Sequence, residues 1–127
     1  MAADRELVEH CRELLAPQGA VRVKRMFGGH GFYVDELFIA LIAFGRLYLK
    51  ADALTRERFE AAGCEPFVYE SQTGGQRKAV TMGYFTAPED AMESPALMQP
   101  WARLALEAAL RARAAKKAPA KPARPRR

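Results

Sequence analysis

A chain of 127 residues, half of them hydrophobic and 28% charged, has the length of one domain and scarcely of two. The last twelve residues, KKAPAKPARPRR, hold six of the 20 basic groups and no acid, so the formal charge of +5 resides there and the rest of the chain sums to −1. The longest apolar run, Leu37–Phe44, has eight residues, far short of the ~20 that cross a bilayer, and the acidic, mixed start MAADRELVEH does not read as a secretory signal.

Asp4 is placed to cap a helix from Arg5. Leu7, Cys11, Leu14 and Leu15 fall on one face of it, and Pro17 and Gly19 end it. Val21–Phe27 alternates as a strand does, with Val21, Val23, Arg25 and Phe27 on one side and Arg22, Lys24 and Met26 on the other. GGHG at 28–31 reads as a turn, after which Phe32–Val34 resumes the extended chain. Asp35-Glu36 connects to Leu37–Phe44, Gly45-Arg46 turns again, and Leu47–Lys50 is extended. The whole stretch reads as a three-stranded antiparallel meander.

Thr55–Ala62 is a short helix anchored by Phe59 and ended by Gly63. Phe67–Glu70 and Lys78–Phe85 are two further strands around Gly74-Gly75. A helical turn fits Glu89–Met92. Pro100 is expected in the first turn of a last helix, whose apolar face is Trp101, Leu104, Ala105 and Ala108 and which frays near Ala115. The order is helix, three strands, helix, two strands, helix. It predicts an α+β domain over residues 1–115, a two-layer sandwich with five antiparallel strands and helices on one face. Residues 116–127 are expected to be disordered, because proline and charge oppose folding. Leu37–Phe44 is apolar at every position, so both its faces require cover. Helices of so short a chain cover one, and a second copy of the chain is expected on the other.

The chemistry-bearing residues are sparse. Cys11 and Cys64 are too few and too scattered for a disulfide framework or a zinc site, and read as reduced thiols of a cytoplasmic protein. His10 and His30 have no cysteine or carboxylate at ligand spacing and are expected to face solvent. Gly28, Gly29 and Gly31 lie between strands, without the G-x-G-x-x-G or Gly-Lys-Ser/Thr of a phosphate loop, and read as a turn or bulge. Ser71 and Ser94 lack a nucleophile-elbow setting. The expectation is a non-enzyme without metal or cofactor. Tyr48 and Lys50, with Tyr69 and Tyr84, are candidates for an exposed sheet face, either a nucleic-acid stacking surface or, as the body's charge of −1 favours, a subunit interface.

RMFGGHGFYVDELFIAL at 25–41, LYLKAD at 47–52, Phe59…Gly63…Pro66-Phe67…Tyr69, Met82…Tyr84 and Trp101-Ala102 form a series. It resembles the amino-terminal domain of the TfoX (Sxy) family, bacterial proteins named for regulating natural competence, over about residues 4–112. The resemblance implies a two-layer α+β fold like that of secretion chaperones, often dimeric, and a role in transcriptional control through protein contacts. It marks Arg25, Met26, Phe27, Gly28, Gly29, Gly31 and Tyr33, with Tyr48 and Lys50, as the family motif and candidate partner surface. Longer members carry a second helical domain, where this chain reads the basic tail. Glu36 stands where the family usually has glycine, so a turn type other than one with positive φ is expected there.

In the tail, Lys116, Lys117, Lys121, Arg124, Arg126 and Arg127 are the candidate nucleic-acid contacts. Six cations attract DNA or RNA weakly and without sequence choice, and a solubilising extension fits the same composition. No apolar anchor accompanies them, so a membrane surface is not the expected partner. The expected partners are a second copy, an unidentified protein and, weakly, nucleic acid.

Overall fold

The computed structural model describes residues 2–26, 29–73 and 76–117. Its helices are α1 (Ala2–Leu15), α2 (Arg56–Ala61) and α3 (Pro95–Lys117), and its strands β1 (Val21–Met26), β2 (Gly29–Val34), β3 (Leu37–Ala43), β4 (Arg46–Lys50), β5 (Pro66–Thr73) and β6 (Gln76–Thr86). The strands form one antiparallel sheet in the order β1-β2-β3-β4-β6-β5. The fold is α+β as expected, with six strands instead of five. The difference is the glycine-rich segment: residues 29–31 are not a turn but the first half of β2, paired to β1 on one side and to β3 on the other.

Gly29 shows why glycine is there. A Cβ built on it would lie 2.0 Å from the Ile42 carbonyl oxygen, a contact with backbone that no rotamer relieves. The β2–β3 pairing also slips between Phe32 and Tyr33: Phe32 faces Ala40 while Tyr33 faces Phe38, leaving Ile39 as the extra residue of a bulge. The bulge changes the phase of β3. Leu37, Ile39, Ala40 and Ile42 join the core, while Phe38 and Leu41 point the other way and are half-buried.

Both tight hairpins use φ > 0 at their two loop residues, the pattern that matches the right-handed twist of paired strands. In β2–β3 these are Asp35 (φ 50°) and Glu36 (φ 67°); in β3–β4 they are Phe44 (φ 56°) and Gly45 (φ 73°). Glu36 therefore occupies the left-handed turn it was expected to avoid. Hydrogen bonds hold that turn: the Asp35 N–H donates to the Ala20 carbonyl at 3.0 Å, the Ala20 N–H donates to the Asp35 carboxylate at 3.2 Å, and the Arg22 guanidinium grips Glu36 at 2.9 and 3.2 Å. The second turn is Phe44-Gly45, and Arg46 already belongs to β4.

The core lies between one face of the sheet and the helices. α1 contributes Val8, Cys11, Leu14 and Leu15, and α3 contributes Met98, Ala102, Leu104, Ala105 and Ala109. α3 lies on β3 and β4 with α1 beside it. Phe59 of α2 is fully buried, stacked on Phe85 at 5.5 Å and tilted against Trp101 at 5.3 Å, so one ring ties α2 to β6 and α3. Burial of a side chain of that size contributes about 1.5–3 kcal/mol.

α3 begins at Pro95, not at Pro100. The Leu97 N–H donates to the Ser94 hydroxyl, which caps the helix one turn earlier than expected. Pro100 sits inside, where its missing N–H leaves the Ala96 carbonyl without its helical donor. At the other end α3 runs through Lys116 and Lys117; the remainder of the expected disordered tail, including Lys121, Arg124, Arg126 and Arg127, lies outside the described residues, as do Phe27 and Gly28. Arg111 on α3 reaches the loop before α2 and holds Asp52 with two bonds of 2.6 and 3.0 Å. Asp52 in turn accepts from the Leu54 N–H at 3.1 Å. No helix among the described residues is long and apolar enough to cross a membrane.

Two outcomes follow from these contacts. In urea unfolding, Gly29→Ala is expected to lose about 1–3 kcal/mol by overpacking against backbone, whereas Gly45→Ala, with open space at its Cβ, is expected to lose only the left-handed strain of about 1–2 kcal/mol. The Arg111 hydrogen bonds hold the Asp52 carboxyl below its ordinary value. A depressed carboxylate stabilises the fold above its unfolded pKa of about 4, and that stability is lost as pH falls through the folded value. Acid titration of unfolding should therefore show a steeper loss below about pH 4 for the natural chain than for Asp52→Asn.

Candidate functional site

The sheet's second face carries no described helix. Cross-strand register builds it row by row. Arg22 lies opposite Tyr33 and Tyr33 opposite Phe38. Gly31, Leu41, Tyr48 and Thr86 follow one another across four strands, and Lys50 faces Tyr84. Tyr48 and Tyr84 are buried yet stand outside the core cluster; they are covered by their neighbours on this face.

The rings form two contiguous groups. Tyr33 meets Phe38 edge-on at 5.2 Å, and Phe38 meets Tyr84 at 6.0 Å. Phe67 meets Tyr48 edge-on at 4.9 Å and stacks on Phe44 at 6.0 Å. Each of the three tyrosines also has a cation against its face: Arg22 at 4.4 Å from Tyr33, Arg46 at 6.0 Å from Tyr48, and Lys50 at 5.2 Å from Tyr84. The two arginines are neutralised at the rim, Arg22 by Glu36 and Arg46 by Glu65, both at 2.9 Å. Burial pulls the Lys50 amine below its ordinary value, and burial pushes the Tyr84 phenol up to about 12.

Phe44 stands apart. It is 74% exposed and has φ 56°. A bulky residue in the left-handed region is strained, and here the two-residue hairpin between Ala43 and Arg46 imposes it. Val68, 42% exposed, adds apolar surface on neighbouring β5.

Of the residues marked from sequence, the structure brings Tyr33, Tyr48 and Lys50 together on this face, with Tyr84. Gly29 and Gly31 lie in β2 beside it. Arg25 is exposed, and its register with His30 puts it on the helix side of β1 with Val21 and Val23. Met26 pairs with Gly29 in backbone register. The side chain of Tyr69 lies outside the described residues. Phe38, Phe44, Phe67, Arg22 and Arg46 belong to the surface and were not singled out. The signal for Phe44 is the two-residue spacing between Ala43 and Arg46, which forces its positive φ; a phase change inside β3 hid Phe38.

Among the described residues no three His, Cys, Asp or Glu side chains converge as metal ligands. Cys11 is a buried free thiol pushed up to about 12 by burial, and Cys64, half-buried, is raised for the same reason. His10 and His30 are half-buried, not solvent-facing as expected, and the His10 ring is bonded through Nε2 to the Met92 carbonyl, which ties α1 to the turn before α3. What the face offers is aromatic contact area with neutralised rim charges, which suits recognition of a complementary surface.

Two comparisons bear on this arrangement. The profile of the TfoX N-terminal domain family matches residues 13–109, which takes in all six strands. The chain is also similar to DNA transformation protein TfoX1 of Aliivibrio fischeri (strain ATCC 700601 / ES114), 32% identical over 78 residues, a span of 61% of this chain and 35% of that protein. The chain thus matches about a third of that relative's length.

The raised Tyr84 phenol gives a direct check on the packing of this face. In ultraviolet titration, native protein at pH 11 should lack the Tyr84 phenolate that appears when the chain is denatured. The absorbance gained on denaturation should fall by one tyrosine in Tyr84→Phe.

Proposed function

The chain belongs to the TfoX N-terminal domain family, and from that premise we propose that it is a non-enzymatic regulatory domain acting by protein contact through the uncovered sheet face, first with a second copy of itself. The observation that carries this reading is the pairing of apolar rings with rim charges that cancel locally. Arg22 with Glu36 and Arg46 with Glu65 cancel two of the charges that border the rings, which lowers the repulsion between two copies. Tyrosine and phenylalanine supply large, stiff contact area of the kind that dominates interfaces. The regulatory character of the family supports an adaptor over a catalyst. The relative's name attaches that protein to DNA transformation; carried to this chain, the setting is competence and its transcriptional control, in the cytoplasm.

Light scattering coupled to size exclusion at micromolar concentration is expected to return twice the chain mass; a monomer overturns the self-association. Phe44→Gly separates folding from function. Removing the left-handed strain should raise stability by about 1 kcal/mol, while loss of the exposed ring should weaken the dimer. A variant that associates as tightly as the natural chain removes Phe44 from the contact.

A further inference from the structure

β1 ends the sheet, and among the described residues no strand lies beyond it. The direction of its backbone groups follows from one hydrogen bond. The Asp35 N–H donates to the Ala20 carbonyl at 3.0 Å, one step beyond the Val21–Val34 pair. Bonded and non-bonded pairs alternate along an antiparallel ladder. Arg22 and Lys24 therefore bond β2, while Val21, Val23 and Arg25 turn their N–H and C=O groups outward. No described residue takes up those outward groups. The side chains divide likewise. Val21 and Val23 are half-buried against the core, whereas Arg22, over the Tyr33 ring, and Lys24 are exposed on the other side. Three of the strand's six residues are basic and none is acidic. Arg22 meets Glu36, but Lys24 and Arg25 have no carboxylate partner among the described residues.

We propose that this edge accepts an extended acidic segment of another protein as a further antiparallel strand, with carboxylates opposite Arg22 and Lys24 and apolar side chains opposite Val21 and Val23. The backbone selects a polypeptide. Outward donors and acceptors recur at every second residue, about 7 Å apart, and an added strand satisfies both. The phosphates of a nucleic acid only accept hydrogen bonds and would leave the β1 carbonyls unpaired. Charge selects the sign and excludes a second copy. When two β1 edges meet antiparallel, outward residues face outward residues. The centred registers then set Arg22 opposite Arg22, Arg22 opposite Lys24, or Lys24 opposite Lys24, and like charges directly opposite are destabilising. The other edge strand, β5, has a single acid to offer, Glu70. Cations that guard an edge against its own kind thus favour a partner of opposite sign. The contact runs along the edge, so it does not depend on the self-association of the sheet face proposed above.

Amide hydrogen exchange of the full chain, read by NMR at low ionic strength, tests it with a capped Val-Glu-Val-Glu-Val peptide as probe. At ten times its dissociation constant the peptide should slow exchange of the Val21, Val23 and Arg25 amides about tenfold; those of Arg22 and Lys24, already bonded to β2, should change less. The valines of the probe lie opposite the outward residues, so their N–H groups make the bonds. N-methylation of the valines should abolish binding, and N-methylation of the glutamates should spare it. Lys24→Glu should weaken the probe about tenfold, with circular dichroism and light scattering unchanged, which separates this edge from the sheet face. No protection at low salt overturns the proposal. So does equal binding of the valine-methylated probe, which would reduce the contact to charge alone, or equal binding of a Val-Lys-Val-Lys-Val peptide. Duplex DNA held more tightly than the probe, and weakened by Lys24→Glu, assigns these cations to nucleic acid and likewise overturns it.

Discussion

β3 lies third in a six-stranded sheet and is apolar at all seven positions, Leu37 to Ala43. A strand of that composition demands cover on two sides, and the chain has helices for one. α3 and α1 bury Ile39, Ala40 and Ile42. Phe38 and Leu41 on the other side are left to a sheet surface that shields them with tyrosines and phenylalanines. The aromatic clusters, the cations over their faces and the strained Phe44 are all arranged around this unbalanced demand.

Much of the fold was legible because the relevant signals are local. The α1 face of Cys11, Leu14 and Leu15, the alternation of Val21 and Val23, and the anchoring ring of Phe59 each follow from spacing alone, and each is buried or partly buried as spacing implies. The uninterrupted apolarity of 37–44 pointed to a two-sided strand. The remainder was hidden for physical reasons. Gly29–Gly31 looks like a turn because glycine is the common turn residue; what places it in a strand is the proximity of the Ile42 carbonyl, a long-range fact. Pro100 suggested a helix start, and the Ser94-Pro95 cap that actually begins α3 is chemically just as legible. Glu36 shows tertiary bonds overriding a local preference, with Arg22 and Asp35 holding a turn that glycine would adopt unaided.

The uncovered sheet face was half visible. Tyr33, Tyr48, Lys50 and Tyr84 can be aligned once strands are paired, but their partners cannot. The bulge at Ile39 decides that Phe38 joins Tyr33 and Tyr84, and no periodicity reports a bulge in a uniformly apolar run. Charge was the clearer guide. The segregation of basic residues to the chain's end is plain in the composition, and α3 gives it a rigid base.

The position of α3 has a consequence for how the chain is made. The pairings among the first four strands are all between sequence neighbours, and β4 pairs further only with β6, so the meander needs no residue beyond 50 to pair. The helix that shields β3 and β4 follows all six strands in the chain. Until translation passes Ala109, the nascent sheet presents greasy surface on both sides, a state prone to clumping with its neighbours. The order of the elements along the chain thus leaves β3 and β4 without their helical cover until α3 has emerged.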